Sequence, residues 1–263
     1  MLSHEFLASD CLGRTVALHI HVPDDVPDDA LPVLYMYDGG VVFREENGGF
    51  GYESYQRAHA ASLPRIVLVG IDPPEGRWAR TAEFAPYTKA FDTHGADFEP
   101  VVHGRGSALL DFVFRELKPW VDRSFPADPS PEHTALGGMS SGALNAMYAA
   151  MCRGGDFSRL LLHGPAFNLW LPELLKTAKG TNFSRLRYCY MDIGDEDATR
   201  MSTKEQTMKS ALRMKDTLLS GGMDEAGLRF RVIPGGRHAP DTWRNTFPDA
   251  LRWIFQDNGG TKP

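Results

Sequence analysis

Apolar positions along this chain fall into two rhythms. Residues 15–22, TVALHIHV, alternate as a strand with one buried face does, and the PDDVPDDA that follows is a proline- and aspartate-rich turn. This is the expected opening strand, antiparallel to the rest. LPVLYMYDGG (31–40) and RIVLVGID (65–72) are nearly continuous apolar runs that stop at Asp-Gly or Asp-Pro, the pattern of strands covered on both faces. His133 to Gly137 is a further short strand, and RLLLHG (159–164), YCYMDIGD (188–195) and LRFRVI (228–233) are three more. Helical spacing fills the gaps. SYQRAHAAS (54–62) is one helix. Leu109, Val113, Leu117 and Trp120 or Val121 mark another, with Ser107 as its N-cap and Pro126 beyond its end. Residues 203–219 and 241–256 are also helical. Alternating strands and helices predict a single α/β domain over 1–263, a mostly parallel sheet flanked by helices on both faces, with ligands gathering at the carboxyl ends of the strands. The longest irregular stretch, about 73–106, is a loop-rich insertion and the natural substrate-facing segment.

Into this pattern falls LGGMSSGALNAMYAA, residues 136–150, a G-x-S-x-G pentapeptide between an apolar strand and an alanine-rich helix. A side chain lifted onto a sharp strand-to-helix turn forces unusual backbone angles, and Gly138 and Gly142 remove the Cβ atoms that would collide across it. Ser140 is therefore the candidate nucleophile, with Ser141 the runner-up. The positive end of the helix and the N–H of Ser141 would favour a developing oxyanion there.

Composition narrows the partners. The chain is 42% hydrophobic and 24% charged with a net charge of −6, and it carries no basic run, so nucleic acid is not expected. Cys11, Cys152 and Cys189 are widely separated and lack C-x-x-C spacing, which predicts neither a disulfide framework nor a zinc site. MLSHEFLASD has no basic n-region and no long apolar core, and no stretch of 18 apolar residues occurs, so a cytoplasmic location without membrane partners is expected. A homo-oligomer is allowed by the sequence but not indicated by it.

A serine nucleophile needs a base and an acid. Ile233-Pro234-Gly235-Gly236-Arg237-His238 places a histidine in a glycine-rich loop directly after a late strand, which makes His238 the candidate base. His94 and His103 lie in the irregular loop and His163 at another strand end; His19 and His21 are expected to face solvent from the first strand rather than to bind metal. The acid should follow the preceding strand, where YCYMDIGDEDAT offers Asp192, Asp195, Glu196 and Asp197. Asp192 belongs to the strand itself. Asp197 is favoured, with Asp195 and Glu196 as rivals, because one carboxylate must orient the imidazole and stabilise its cation. The order Ser, Asp, His on successive strand ends is that of α/β-hydrolases.

Asp38-Gly39 after a strand, LKPWVDRSF, LGGMSSGALNA and PGGRHAPDTWR together resemble the putative esterase group of α/β-hydrolases. That group includes enterochelin and related siderophore esterases, esterase D-like S-formylglutathione hydrolases and mycolyltransferases. The resemblance spans roughly residues 5–256. It implies an eight-stranded hydrolase sheet, Ser140 as nucleophile, Asp197 as acid and His238 as base. It also implies an oxyanion hole from the N–H of Ser141 and of Gly40 or Val41. RTAEFAPYT (80–88) looks like an Arg-x-x-Glu-aromatic-x-Pro stretch of the siderophore esterase-like members. Arg80 and Glu83 are therefore pocket candidates, or else an ion pair with one another; Phe167 and Trp170 are candidate cleft walls, or else core.

The expected chemistry is hydrolysis of a small-molecule carboxylic ester through an acyl-enzyme, without cofactor or metal. The natural ester is open between siderophore-like and small acyl or aryl esters. An acyltransferase using the same three residues and a catalytically silent binding protein on this fold are the other classes.

Overall fold

The computed structural model describes the chain apart from residues 25–29, 60–61, 77, 94, 96–98 and 258–263. His94, parts of the 23–30 turn and Ala60 and Ala61 of the 54–62 stretch thus lie outside the described residues.

The chain opens with a strand that the apolar pattern does not announce. β1 (Leu2–Ser9) pairs antiparallel with β2 (Arg14–His21), so TVALHIHV is the second strand and not the first. β3 (Val33–Tyr37) ends with the apolar run, where Asp38 turns left-handed and Gly39–Phe43 coil into a short helix, α1. After α2 (Tyr52–His59) come β4 (Val67–Ile71) and the segment 73–106. That segment is not wholly irregular: it holds α3 (Ala79–Phe84) and a two-stranded ribbon of β5 (Lys89–Ala90) and β6 (Val101–Val102). α4 (Gly106–Asp111) starts one residue before Ser107, with Arg105 at the cap position and no side-chain cap. Ser107 therefore lies in the first turn and does not cap it. The helix passes through a π-helical stretch, Phe112–Leu117, into α5 (Lys118–Ser124).

Then follow β7 (Thr134–Met139), α6 (Ser141–Cys152), β8 (Arg159–His163), α7 (Leu171–Ala178) and β9 (Tyr188–Gly194). α8 (Lys204–Ser220), β10 (Leu228–Ile233) and α9 (Pro240–Ile254) complete the chain. α8 begins with a capping box in which Thr203 and Gln206 satisfy each other's backbone amides.

The main sheet has eight strands in the order β1-β2-β4-β3-β7-β8-β9-β10, antiparallel at β1, β2 and β4 and parallel from β4 to β10. Register aligns the carboxyl ends: Met139 lies opposite His163, and His163 opposite Asp192. The residues just past these ends therefore share one rim. Side chains alternate between two cores. Val33, Tyr35 and Tyr37 enter the cluster that includes α4 to α8, and Leu34 and Met36 enter the one that includes α1, α2 and α9.

Coverage of both faces corrects the reading of the first histidines. His19 and His21 are only 2% and 5% exposed, because α1 and α2 bring Phe43 and Tyr52 against them. Among the described residues no helix is long and apolar enough to cross a membrane.

Candidate active site

Ser140 sits where β7 breaks into α6, at φ 56 and ψ −119, one of two described non-glycine residues with positive φ. The other is Asp38. A serine held there costs on the order of 1–3 kcal/mol and persists only because its surroundings fix it. Three backbone bonds do so. Ser140 N–H donates to His163 O at 2.9 Å, and Ser140 O accepts from Leu144 and Ala166, both at 3.1 Å. Gly138 permits the tight turn: a Cβ there would lie 2.5 Å from the Gly142 carbonyl carbon.

His238 arrives from the loop after β10. Its Nε2 is 2.8 Å from Ser140 Oγ, and its Nδ1 is 2.9 Å from Asp197 Oδ1. The two loops that carry His238 and Asp197 are laced together, with Glu196 N–H donating to Gly236 O at 3.0 Å and Gly235 N–H to Asp195 Oδ1 at 2.7 Å. The approach requires glycine, since a Cβ on Gly194 would fall 2.0 Å from Gly236 O. The three carboxylates in this loop part company. Asp195 holds the Gly235 amide, Glu196 pairs with Lys204 at 2.8 Å, and Asp197, with no exposed surface, faces the imidazole. Trp243 of α9 stands edge-on to the His238 ring at 5.1 Å.

The turn after β3 borders the same rim. Asp38, buried and left-handed, takes a two-pronged bond from Arg80, with Nε to Oδ1 at 2.6 Å and Nη2 to Oδ2 at 2.7 Å. Nη2 also reaches Met139 O, the residue before Ser140, at 3.4 Å. Arg80 is thus tied to the turn and the elbow. It does not pair with Glu83, whose carboxylate is buried against Arg14 at 2.6 Å. Each residue does form an ion pair, but the oppositely charged partners that burial demands come from distant segments.

Of the amides in this turn, Val41 N–H is spent on Asp38 O at 2.9 Å, whereas Gly40 N–H donates to Asp72 Oδ1 at 2.6 Å. Asp72 Oδ2 lies 2.9 Å from His19 Nε2. Burial works to raise the Asp72 carboxyl, and the bonds from His19 and Gly40 overcome it, so this group titrates below the ordinary carboxylate range. Phe167 and Trp170, at 0% and 2% exposure, are core residues and not surfaces of a cleft; the chain after β8 folds back on itself and buries both.

Asn145 explains how the 73–106 segment is held to the site. It is fully buried in α6, accepts from Tyr37 Oη at 2.8 Å, and donates to Phe84 O at 3.1 Å and Gly106 O at 3.4 Å. One amide therefore fastens the insertion at two points, the end of α3 and its last residue, to the helix that follows Ser140.

A second Asp–His pair lies beneath this rim. His163 Nδ1 is 2.8 Å from Asp192 Oδ2, which also accepts from Thr246 Oγ1 at 2.6 Å, and all three residues are buried. The sequence carried a signal for it, since a lone charged residue inside an apolar strand must find a partner. Thr246→Val keeps the shape and leaves the buried carboxylate one donor short. It is expected to destabilise the protein by about 1–3 kcal/mol, read as a lower urea midpoint at unchanged slope.

The chain is similar to known proteins across this framework. It is 28% identical over 145 residues to a siderophore triacetylfusarinine C esterase of Aspergillus fumigatus, a match covering 55% of this chain and 46% of that protein. The chain thus spans about half the length of that curated relative. Among solved structures, an IroE-like serine hydrolase from Shewanella oneidensis superimposes with a TM-score of 0.78 at 22% identity, covering 98% of this chain and 81% of the other. The BES protein from Bacillus cereus gives 0.73 at 20%, covering 96% and 95%. The enterobactin esterase FES from Shigella flexneri gives 0.73 at 18%, covering 98% and 59%. These superpositions show the α/β-hydrolase fold. The family model described as putative esterase matches residues 9–254, nearly the whole described chain, and the protein belongs to the putative esterase family.

Proposed function

We propose that this protein is a serine esterase that hydrolyses a small carboxylic ester through an acyl-enzyme. One observation carries the reading: the unbroken line Ser140 Oγ, His238, Asp197, with separations of 2.8 and 2.9 Å, ending on a buried carboxylate.

His238 Nε2 takes the Ser140 proton as Oγ attacks the ester carbonyl, and Asp197 steadies the imidazolium that results. The tetrahedral oxyanion is held by Ser141 N–H, the first amide of α6 and so without an acceptor in its own helix. The second donor is Gly40 N–H, which exchanges Asp72 Oδ1 for the carbonyl oxygen when substrate arrives. Val41 is set aside because its amide closes the turn. His238 then returns its proton to the alcohol, which leaves, and activates the water that releases the acid. The similarity to a siderophore triacetylfusarinine C esterase supports a siderophore-like ester as substrate, with a small acyl or aryl ester the other candidate.

A fluorophosphonate probe tests the reading without knowledge of the natural ester. Stoichiometric labelling, mapped by peptide mass to Ser140 and absent in His238→Ala, is expected. A folded protein that takes no label, or takes it at Ser141, would overturn it.

A further inference from the structure

A cavity of about 700 Å³ opens between elements that are hydrogen-bonded to the proposed nucleophile and acid, and its chemistry is selective. Its walls come from the β5 ribbon, the chain after β8, the loop after Asp197 and the start of α8. Two of these walls are fastened to the proposed site. The loop after β8 bonds Ser140 O through Ala166 N–H at 3.1 Å, and Thr207 of α8 donates to Asp197 O.

Among the described residues, Lys89, Arg200 and Lys209 line this cavity, against the carboxylate of Asp92. Lys89 is placed with care. Its Nζ donates to Leu169 O at 2.9 Å, pairs with Glu173 at 2.9 Å, and lies 5.6 and 5.8 Å from the ring centres of Phe91 and Trp170. Even with Glu173 counted behind it, the described cations here outnumber the described carboxylates, in a chain whose net charge is −6. Between the charges the lining is mixed, with Phe91, Leu169, Leu171 and Met201 giving it an apolar part beside Asn168 and Gln206. Cations gathered on one wall of a cleft in a protein of negative net charge favour an anionic group there.

Resting on the esterase reading, we infer that this cavity binds the non-reacting part of the substrate and that this part carries a carboxylate on an apolar or aromatic body. The cations hold the carboxylate and the apolar wall takes the body, while the ester carbonyl reaches Ser140. This division accounts for the basic lining, which a neutral acyl pocket would not need.

The test compares each acid with its own methyl ester in two substrate pairs. One pair is p-nitrophenyl hydrogen glutarate against methyl p-nitrophenyl glutarate, with the charge on the acyl side. The other is 3-acetoxybenzoate against methyl 3-acetoxybenzoate, with the charge on the alcohol side. In at least one pair the acid is expected to show about tenfold higher kcat/KM, a ratio that falls toward one in Arg200→Gln/Lys209→Gln and as salt is raised. Methyl esters turned over as well as the acids in both pairs, or a ratio that survives the double substitution, would overturn the inference. Calorimetric titration of 3-hydroxybenzoate separates it from the esterase reading. Binding that weakens about tenfold in the double variant supports the cavity's role even if no ester is hydrolysed, and equal binding in both proteins rejects it.

Discussion

Ser140→Ala is expected to lower hydrolysis of a short p-nitrophenyl ester by about 10⁴-fold or more, with the unfolding midpoint close to that of the parent. The substitution removes the attacking atom and one contact to His238, and leaves the backbone bonds to His163, Leu144 and Ala166 in place. Ser141→Ala is the informative companion. Ser141 enters the proposed chemistry through its amide, so this neighbour should keep most of the activity. Turnover by Ser140→Ala equal to the parent's would remove the nucleophile and the acyl-enzyme with it.

Asp197→Asn is expected to lower kcat by about 10⁴-fold while the fold persists. The carboxylate is buried, and His238 Nδ1 lies 2.9 Å from one of its oxygens. An amide there can turn its NH₂ toward the ring, which fixes the proton on Nε2, where it cannot accept one from Ser140. Asp195→Asn and Glu196→Gln should have far smaller effects, because those side chains are engaged with Gly235 and Lys204. If the loss followed Asp195→Asn and spared Asp197→Asn, the proposed acid would be the wrong one. Steady-state kinetics on the three variants decide.

What the sequence makes legible here is whatever repeats or punctuates. Apolar runs ending at Asp-Gly and Asp-Pro mark β3 and β4, and the glycine-framed Ser140 and His238 mark the two turns that meet. β1 escaped because Leu2–Ser9 is an outer strand with much of its surface in water, so its hydrophobic pattern is diluted by His4 and Glu5. The partners of Arg80 and Glu83 escaped for a different reason. Asp38 and Arg14 are 42 and 69 positions away, and only the folded sheet brings such charges together. Phe167 and Trp170 show the limit of reasoning from strand ends, since proximity to a rim does not say which side of the backbone a ring will take. Likewise the engagement of Gly40 by Asp72 depends on the neighbouring ends of β3 and β4, a property of strand order that no local motif records.

The loop that delivers His238 leaves from β10, which closes one margin of the sheet and hydrogen-bonds to β9 alone. Ser140 is rooted three strands inward, between fully buried neighbours. An edge strand thus carries the proposed base, and fraying of that margin takes less free energy than melting the core. Warming or mild denaturant would then silence the enzyme while most of its structure stood, and whatever steadies this outermost strand would extend its working life.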